Sequence, residues 1–329
     1  AARLTVTSEQ SASLLFPTNA AAHDIRADAA EKLVGNAPAR LTNAFFVNSG
    51  AEANEHALRI ACRTTGRRKV LAIEHGFHGR TAAAGAVTWN SAGRWYGFPD
   101  TPFDVDFIPR DDVEAARNMI DDSVAAVIFE PVQGVAGAYD LSASFVQALR
   151  DETARAGAIL IADEVQSGMG RTGHFFAVQH SDVEPDILTA AKSLGGGIPC
   201  GALLTTEALS AELQVGDLGT TFGGGPLAAA AIVAVIDTIR AEELLCNVRE
   251  REAEIHELCI TGPVTGIQGK GFLAGLICDR PAKEVRNALL DRDILTGTSA
   301  DPAVLRLLPP LVLEAAHVKR LAAALNDIA

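Results

Sequence analysis

The sequence predicts an α/β fold, in which a mostly parallel central sheet carries helices on both faces. Four short runs are apolar almost without interruption, which is typical of strands that are buried on both sides. These runs are Asn43–Val47, Lys69–Ile73, Val124–Phe129 and Ala158–Ala162. Segments with a helical pattern lie between them, at Ala51–Thr65, Asp111–Asp121 and Ser144–Ala156. Strands that alternate with helices indicate βαβ units and hence parallel strands.

The chain has room for a large and a smaller domain, because 329 residues exceed the size of a typical single domain. Glycine-rich loops separate predicted elements at Gly168–Gly173, Gly195–Gly197 and Gly223–Gly225. A long Ala/Val/Ile-rich helix is predicted from Pro226 to Arg240, and a more charged helix–strand pattern follows it. We therefore expect a large domain at 18–240 and a smaller α+β C-terminal domain at 241–329.

Composition and charge exclude several classes of partner. The net charge of −13 argues against binding to nucleic acid or to an anionic membrane. No apolar run reaches the length of about 18 residues that a membrane helix needs. The cysteines are odd in number and form no CxxC pair, so neither a disulfide framework nor a zinc site is expected. We expect a cytoplasmic protein with reduced thiols and no metal site.

A candidate phosphate site lies at Asn48–Glu55, where the sequence NSGAEANE joins an apolar strand to a helix. Free N–H groups at the start of a helix bind phosphate, and Gly50 allows an anion to approach closely. The alternative is an ordinary strand–helix turn that is capped by Ser49.

Two further motifs carry ionisable groups near strand ends. The predicted strand in GAILIADEVQ ends at Asp163-Glu164, and such acids can bind a metal, act as a base, pair with a cationic ring nitrogen or cap a helix. Lys192 lies between an apolar stretch and Gly195–Gly197. A desolvated lysine has a lowered pKa and an amine that attacks aldehydes. The alternative is a buried structural lysine.

The loop with the sequence GFHGRT offers an aromatic face at Phe77 and a carboxylate-binding guanidinium at Arg80. Taken singly, Phe77 fits a core position, Arg80 fits a solvated position, and His78 says little. Combined, the three motifs supply a lysine for a Schiff base, an aspartate for a pyridinium nitrogen and a helix start for a phosphate. These are the parts of a pyridoxal-phosphate site.

Six motifs resemble, in the same order, those of class III aminotransferases of fold type I, nearest the acetylornithine/ornithine aminotransferase group. They are NSGAEANE, FHGRT, EPVQG, ADEVQSGMGRTG, AAKSLGGG and TTFGGGPLA. The resemblance covers essentially the whole chain. It implies a fold type I transferase that uses pyridoxal 5′-phosphate as its cofactor.

The resemblance also implies roles for residues around the cofactor ring. Lys192 forms the Schiff base with the cofactor and then moves the proton during transfer. Asp163 pairs with the pyridine nitrogen and keeps the ring protonated. Val165 packs on one ring face, Phe77 stacks on the other, and Gln166 reaches toward the phenolic oxygen.

Other implied roles concern the phosphate and the substrate. Gly50 and Ala51 donate backbone N–H groups to the phosphate. Thr221 resembles a threonine that reaches the phosphate of the neighbouring subunit, which implies a homodimer with shared active sites. The residues expected at the substrate are Thr220, Arg80 and Arg306.

Three departures from the family pattern matter. Ala51 stands where the phosphate loop often has a threonine, so a hydroxyl is missing while the backbone donors remain. Val135 replaces a glutamate that many relatives use to neutralise the C-terminal arginine, and this predicts that α-carboxylate substrates are favoured over ω-amine donors. Relatives usually have several dozen residues before a segment like Arg3–Asn19, so we expect 1–17 to be the remnant of an N-terminal segment.

The activity that these observations predict is ping-pong transfer of an amino group from an ornithine-type ω-amino acid, best N-acetylornithine, to 2-oxoglutarate. The alternatives are an ornithine, 4-aminobutyrate or other ω-amino acid transaminase, a lysine-pathway relative, and an aminomutase, which the fold alone does not exclude. A non-catalytic regulatory or scaffold protein is opposed by the intact Lys192, Asp163 and Gln166.

Overall fold

The computed structural model describes residues 2–17 and 21–328 of the chain. Within these ranges the strands are β1 (Leu41–Val47), β2 (Lys69–Ile73), β3 (Asp104–Ile108), β4 (Val124–Phe129), β5 (Val132–Gln133), β6 (Tyr139–Asp140), β7 (Ile159–Asp163), β8 (Ile187–Ala190), β9 (Gly201–Thr206), β10 (Val264–Lys270), β11 (Leu273–Cys278), β12 (Gly297–Thr298) and β13 (Val304–Leu307). The α-helices are α1 (Ala2–Ser13), α2 (Asp24–Val34), α3 (Gly50–Thr65), α4 (Ala82–Ala86), α5 (Val113–Met119), α6 (Ala143–Ala156), α7 (Glu207–Ala211), α8 (Pro226–Ala241), α9 (Leu244–Leu258), α10 (Ala282–Leu290) and α11 (Ala315–Asn326). Short 3-10 helices lie at Ala177–His180 and Lys192–Gly195.

The central sheet has seven strands in the order β1-β9-β8-β7-β4-β2-β3. Neighbouring strands from β8 to β3 are parallel, whereas β9 is antiparallel to both β1 and β8. The predicted mostly parallel sheet is therefore confirmed. Two predicted strands have the observed bounds, and the other two differ by one or two residues.

Helices cover both faces of this sheet, and the strand β4 shows why its sequence is continuously apolar. All six of its residues are buried. Val127 and Phe129 pack into a core with α2, α6 and α8, whereas Ala126 and Ile128 pack into a second core with α3. Successive side chains of a strand point to opposite faces, so a strand between two cores has no polar position.

The helix predicted at 111–121 is shorter in the structure. The Asp112 side chain accepts a hydrogen bond from the Ala115 N–H and caps α5, and Asp111 before it has a left-handed φ of 61°. A residue in that conformation cannot belong to a right-handed helix. At the other end, Ile120 already has extended backbone angles.

A separate antiparallel sheet follows α9, in the order β10-β11-β13-β12. Together with α9, α10 and α11 it encloses its own core, which starts at Val248 in the sequence. This arrangement confirms the smaller α+β unit at the C-terminus. The exact division at residue 240 stays a prediction, and the boundary expected at residue 18 lies outside the described residues. Within the described part of the chain, no helix is both long and apolar enough to cross a bilayer.

Candidate active site

A cleft of about 430 Å³ lies at the carboxyl ends of the strands in the central sheet. This edge is the usual ligand site of α/β sheets, because the loops that follow parallel strands meet there. Seven of the residues predicted from sequence line the cleft: Gly50, Ala51, Phe77, Arg80, Asp163, Val165 and Lys192. The remaining four lie outside its lining: Gln166, Thr220, Thr221 and Arg306.

Asp163 is the last residue of β7 and is only 2% exposed. Its Oδ2 accepts a hydrogen bond from Asn54 Nδ2 at 2.7 Å and lies 2.8 Å from His78 Nδ1. Its Oδ1 accepts from the Val165 N–H at 3.0 Å. Asn54 is itself held, because its Oδ1 accepts from the Thr189 hydroxyl at 2.7 Å. These bonds stabilise a buried carboxylate in one orientation, which prepares it to face a cationic group.

The start of α3 forms a tight corner of the cleft. Ser49 caps the helix, because its side chain accepts a hydrogen bond from the Glu52 N–H at 3.2 Å. This is the cap expected if the segment is an ordinary strand–helix turn. Gly50 packs directly on Val165, and a Cβ at position 50 would lie 2.6 Å from Val165 Cγ1. Gly79 also packs closely on Ala51, since a Cβ at position 79 would lie 2.8 Å from the Ala51 Cβ. The unpaired N–H groups of the first helical turn therefore border the cleft without a side chain at Gly50 in front of them.

We expect Gly50→Ala to lower the free energy of unfolding by about 1–3 kcal/mol, because the added methyl group overlaps Val165. Val165→Ala in the same background should recover most of that loss. Denaturant melts of both single variants and the double variant give the coupling energy. Additive effects of the two substitutions would show that the contact between α3 and Val165 is not tight.

Lys192 follows β8 and begins a 3-10 helix with a left-handed φ of 47°. This conformation costs a non-glycine residue on the order of 1 kcal/mol and is common at functional sites. The side chain lines the cleft and is open to solvent there. Desolvation by the surrounding protein lowers the pKa of Lys192, the negative charges of Asp163 and Glu130 raise it, and Arg306 lowers it further. The amine is therefore both accessible and more often neutral than an ordinary lysine.

Gln166 and Arg306 meet at Gly134, beyond the cleft lining. Arg306 lies on β13, and its Nη1 donates to the Gly134 carbonyl at 2.9 Å. The Gln166 side chain covers Gly134 so closely that a Cβ at position 134 would overlap Gln166 Oε1. Arg306 and Lys192 influence each other electrostatically, so this group of residues adjoins the cleft.

Arg80, Thr220 and Thr221 lie around the rim. Arg80 is exposed, and its guanidinium carbon Cζ lies over the Trp95 ring, 5.2 Å from the ring centroid. The Thr220 hydroxyl accepts hydrogen bonds from Asn48 Nδ2 and from the Gly223 N–H, each at 3.1 Å. Thr221 follows on an exposed loop. The roles expected for these three residues stay predictions.

Three polar residues that shape the site were not predicted from the sequence as site residues: Asn54, His78 and Glu130. Asn54 shares a helical face with the buried Ala57, Leu58 and Ala61, so a polar residue on an apolar stripe was the available signal. Glu130 directly follows β4, as Asp163 ends β7, and is 5% exposed. No local signal distinguishes His78 from its neighbours.

Comparisons with known proteins agree with this geometry. The model of the class-III aminotransferase family matches residues 4–329. An acetylornithine aminotransferase from Methanopyrus kandleri is 41% identical over 323 residues, which are 97% of this chain and 82% of the relative. A putative LysW-aminoadipate semialdehyde/glutamate semialdehyde transaminase from Pyrococcus furiosus is 40% identical over 86% of this chain and 75% of its own length.

Solved structures show the same relation. The ornithine aminotransferase from Toxoplasma gondii superposes with a TM-score of 0.91 at 26% identity, over 99% of this chain and 81% of that structure. The sequence matches, the fold and the lysine–aspartate cleft lead to one family. The chain belongs to the class III aminotransferases and is an aminotransferase.

Proposed function

We propose that the chain uses pyridoxal phosphate to move the amino group of an ornithine-type ω-amino acid, best N-acetylornithine, to 2-oxoglutarate. The observation that carries this proposal is the cleft that joins Lys192, Asp163 and the start of α3. The identity of 41% to the acetylornithine aminotransferase of M. kandleri supports the choice of amino donor. The two substrates would react in turn, in a ping-pong cycle.

The cleft residues fit this cofactor. The buried, firmly held carboxylate of Asp163 would pair with the ring nitrogen. Phe77 and Val165 would lie on the two faces of the ring. Gly50 and Ala51 would donate backbone N–H groups to the phosphate, at a helix start where Gly50 presents no side chain to the anion.

Pyridoxal phosphate, when bound, supplies an aldehyde that carries the amino group and a ring that withdraws electrons from the substrate carbon. Lys192 Nζ would hold and move the proton taken from that carbon, and its lowered pKa enlarges the neutral fraction that can accept this proton. Asp163 would stabilise positive charge at the ring nitrogen. Gln166 would donate a hydrogen bond to the phenolic oxygen.

On the substrate side, Arg306 and Arg80 would bind carboxylates, with Thr220 at the edge of the substrate. Val135 offers no carboxylate to Arg306. We therefore expect glutamate to react more efficiently than ω-amine donors do, relative to enzymes with a glutamate at this position.

We also propose a homodimer with shared active sites. Thr221 lies on an exposed loop and does not line the cleft of its own chain. This placement suits a residue that reaches the phosphate in a neighbouring copy. Thr220 connects the same loop to Asn48, just before the start of α3 in its own chain.

Mixing inactive Lys192→Ala protomers with weakened Thr221→Ala protomers tests the shared site. Because each site would combine Lys192 of one copy with Thr221 of the other, a mixed dimer should contain one intact site and one doubly damaged site. We expect up to half of the wild-type activity per mixed dimer after subunit exchange. Exchange that mass spectrometry demonstrates, but that restores no activity, would contradict the shared site.

The test of the proposed reaction is a donor screen. Single-turnover rates are measured with N-acetylornithine, ornithine, 4-aminobutyrate and glutamate, and 2-oxoglutarate then regenerates the starting form. We expect N-acetylornithine to have the highest kcat/KM of the ω-amine donors. A higher value for ornithine or 4-aminobutyrate would support those alternatives. Turnover without any keto acid would instead support an aminomutase.

A further inference from the structure

Arg306 is a partly buried cation with incomplete hydrogen bonding. Its Nη1 donates to the Gly134 carbonyl, but its Nε is buried and has no hydrogen-bond partner. Burial lowers the pKa of Arg306, which reflects the cost of removing a guanidinium from water. A desolvated cation needs a negative charge nearby, and the residue after Gly134 is the uncharged Val135.

Glu130 is the carboxylate on the other side of Gly134. It is 5% exposed, its Oε1 accepts from the Phe77 N–H at 2.8 Å, and its Oε2 accepts from the Gly134 N–H at 3.4 Å. One residue, Gly134, therefore donates to Glu130 through its N–H and accepts from Arg306 through its carbonyl. The negative charge of Glu130 raises the pKa of Arg306 against the effect of burial.

The charge of Glu130 is easily changed. Burial raises the pKa of Glu130 to about 7, His78 and Lys192 lower it, and Asp163 raises it. A carboxyl group poised near neutral pH responds to any new charge close by. A second anion beside Arg306 would favour the protonated form of Glu130, since like charges in a desolvated site repel each other.

We propose that Glu130 is the internal counter-ion of Arg306, and that it takes up a proton from solvent when a substrate carboxylate binds to Arg306. Glu130 is thereby a specificity-determining residue. A bound carboxylate replaces its charge, whereas a donor without a carboxylate at this position leaves Arg306 paired with Glu130. The inference rests on the proposed function, because it takes Arg306 as the carboxylate site.

The experiment measures binding of glutarate to the cofactor-loaded protein. Glutarate has two carboxylates but neither an amino nor a keto group, so it binds without reacting. Calorimetry between pH 6 and pH 8.5, in buffers with different ionisation enthalpies, gives both the affinity and the number of protons taken up. In the wild type we expect proton uptake near pH 7 and an affinity that falls about tenfold across this range.

Glu130→Gln keeps the shape and one acceptor oxygen but removes the charge. We expect this variant to bind glutarate about tenfold more tightly than the wild type at pH 8.5, and to lack the wild-type proton uptake. His78, Asp163 and Lys192 also face this region, so the relevant quantity is the difference in uptake between the two proteins.

Glu164→Gln is the matched control. Glu164 is 1% exposed, and burial raises the pKa of Glu164 to about 7 as well. However, its oxygens accept from the Ser167 hydroxyl and the Val178 N–H, away from Arg306. We expect Glu164→Gln to keep the wild-type proton uptake and pH dependence.

The outcomes separate this inference from the proposed function. No proton uptake in the wild type, or equal uptake in the wild type and Glu130→Gln, overturns the role of Glu130 and leaves the proposed transamination intact. Absence of proton uptake in the wild type overturns the inference even if the variant does not fold. A glutarate affinity that Arg306→Gln leaves unchanged overturns both the carboxylate site at Arg306 and the inference.

Discussion

Replacing Lys192 with alanine should lower single-turnover rates on the order of 10⁴-fold, with cofactor binding largely retained. The variant loses both the nucleophilic amine and the group that moves the substrate proton, and each contribution is large. The start of α3 and Asp163, which we propose to hold the phosphate and the ring nitrogen, do not depend on this side chain and should still hold the cofactor. Equilibrium dialysis and stopped-flow absorbance measure the two quantities separately.

Two further measurements make the Lys192 experiment specific. Borohydride reduction followed by mass spectrometry should attach the cofactor to Lys192 in the wild type and to no residue in the variant. Small primary amines in solution should partly restore the rate, because they can replace Nζ as proton carrier. Lys69→Ala is a suitable control, since Lys69 pairs with Asp106 at the amino end of β2, far along the sheet from the cleft. Near wild-type transamination by Lys192→Ala would refute the assignment.

Asp163→Asn should lower the rate about 10²- to 10³-fold, because it removes the charge that we propose to face the ring nitrogen. The amide NH2 would also replace one carboxylate oxygen, so it would face either Asn54 Nδ2 and His78 Nδ1 or the Val165 N–H, which now contact the carboxylate. We therefore expect weaker cofactor binding as well, which titration of the unloaded protein measures.

A cofactor analogue methylated at the ring nitrogen separates the two effects. Its ring is positively charged without help from the protein, so it should recover part of the lost rate in Asp163→Ala. No recovery, at saturating analogue, would mean that Asp163 acts mainly through the structure of the site. The wild type serves as the comparison, because the methyl group should hinder binding next to an intact carboxylate.

Much of the fold was predictable because buried strands have a distinctive pattern. β2 and β4 were predicted with their observed bounds, since they are apolar on both faces. The antiparallel direction of β9 was not predictable. Its sequence GALLTT is as buried as that of the parallel strands, and neither apolar pattern nor propensity encodes the direction of a strand.

The lining of the cleft was predictable where a chemical group stands next to a strand end or a glycine-rich loop, as for Asp163 and Lys192. It was not predictable where the role arises from pairing across the fold. His78 matters because it meets Asp163, which is 85 residues away in sequence. Glu130 matters because Gly134 connects it to Arg306, on a strand of the second sheet.

The hydrogen bonds of Asn54 have a consequence for how the protein is made. The amide is buried on the apolar side of α3, yet its partners Asp163 and Thr189 follow 109 and 135 residues later. At ribosomal rates of about 5–20 residues per second, the nascent helix waits on the order of ten seconds for them. During that time α3 can contact the earlier element α4 but lacks its contacts with β8 and β9, and apolar surface that stays exposed attracts chaperones or aggregates. The cleft that we propose for the cofactor joins the start of α3 to Asp163 and Lys192, so it is complete only after Lys192 has left the ribosome.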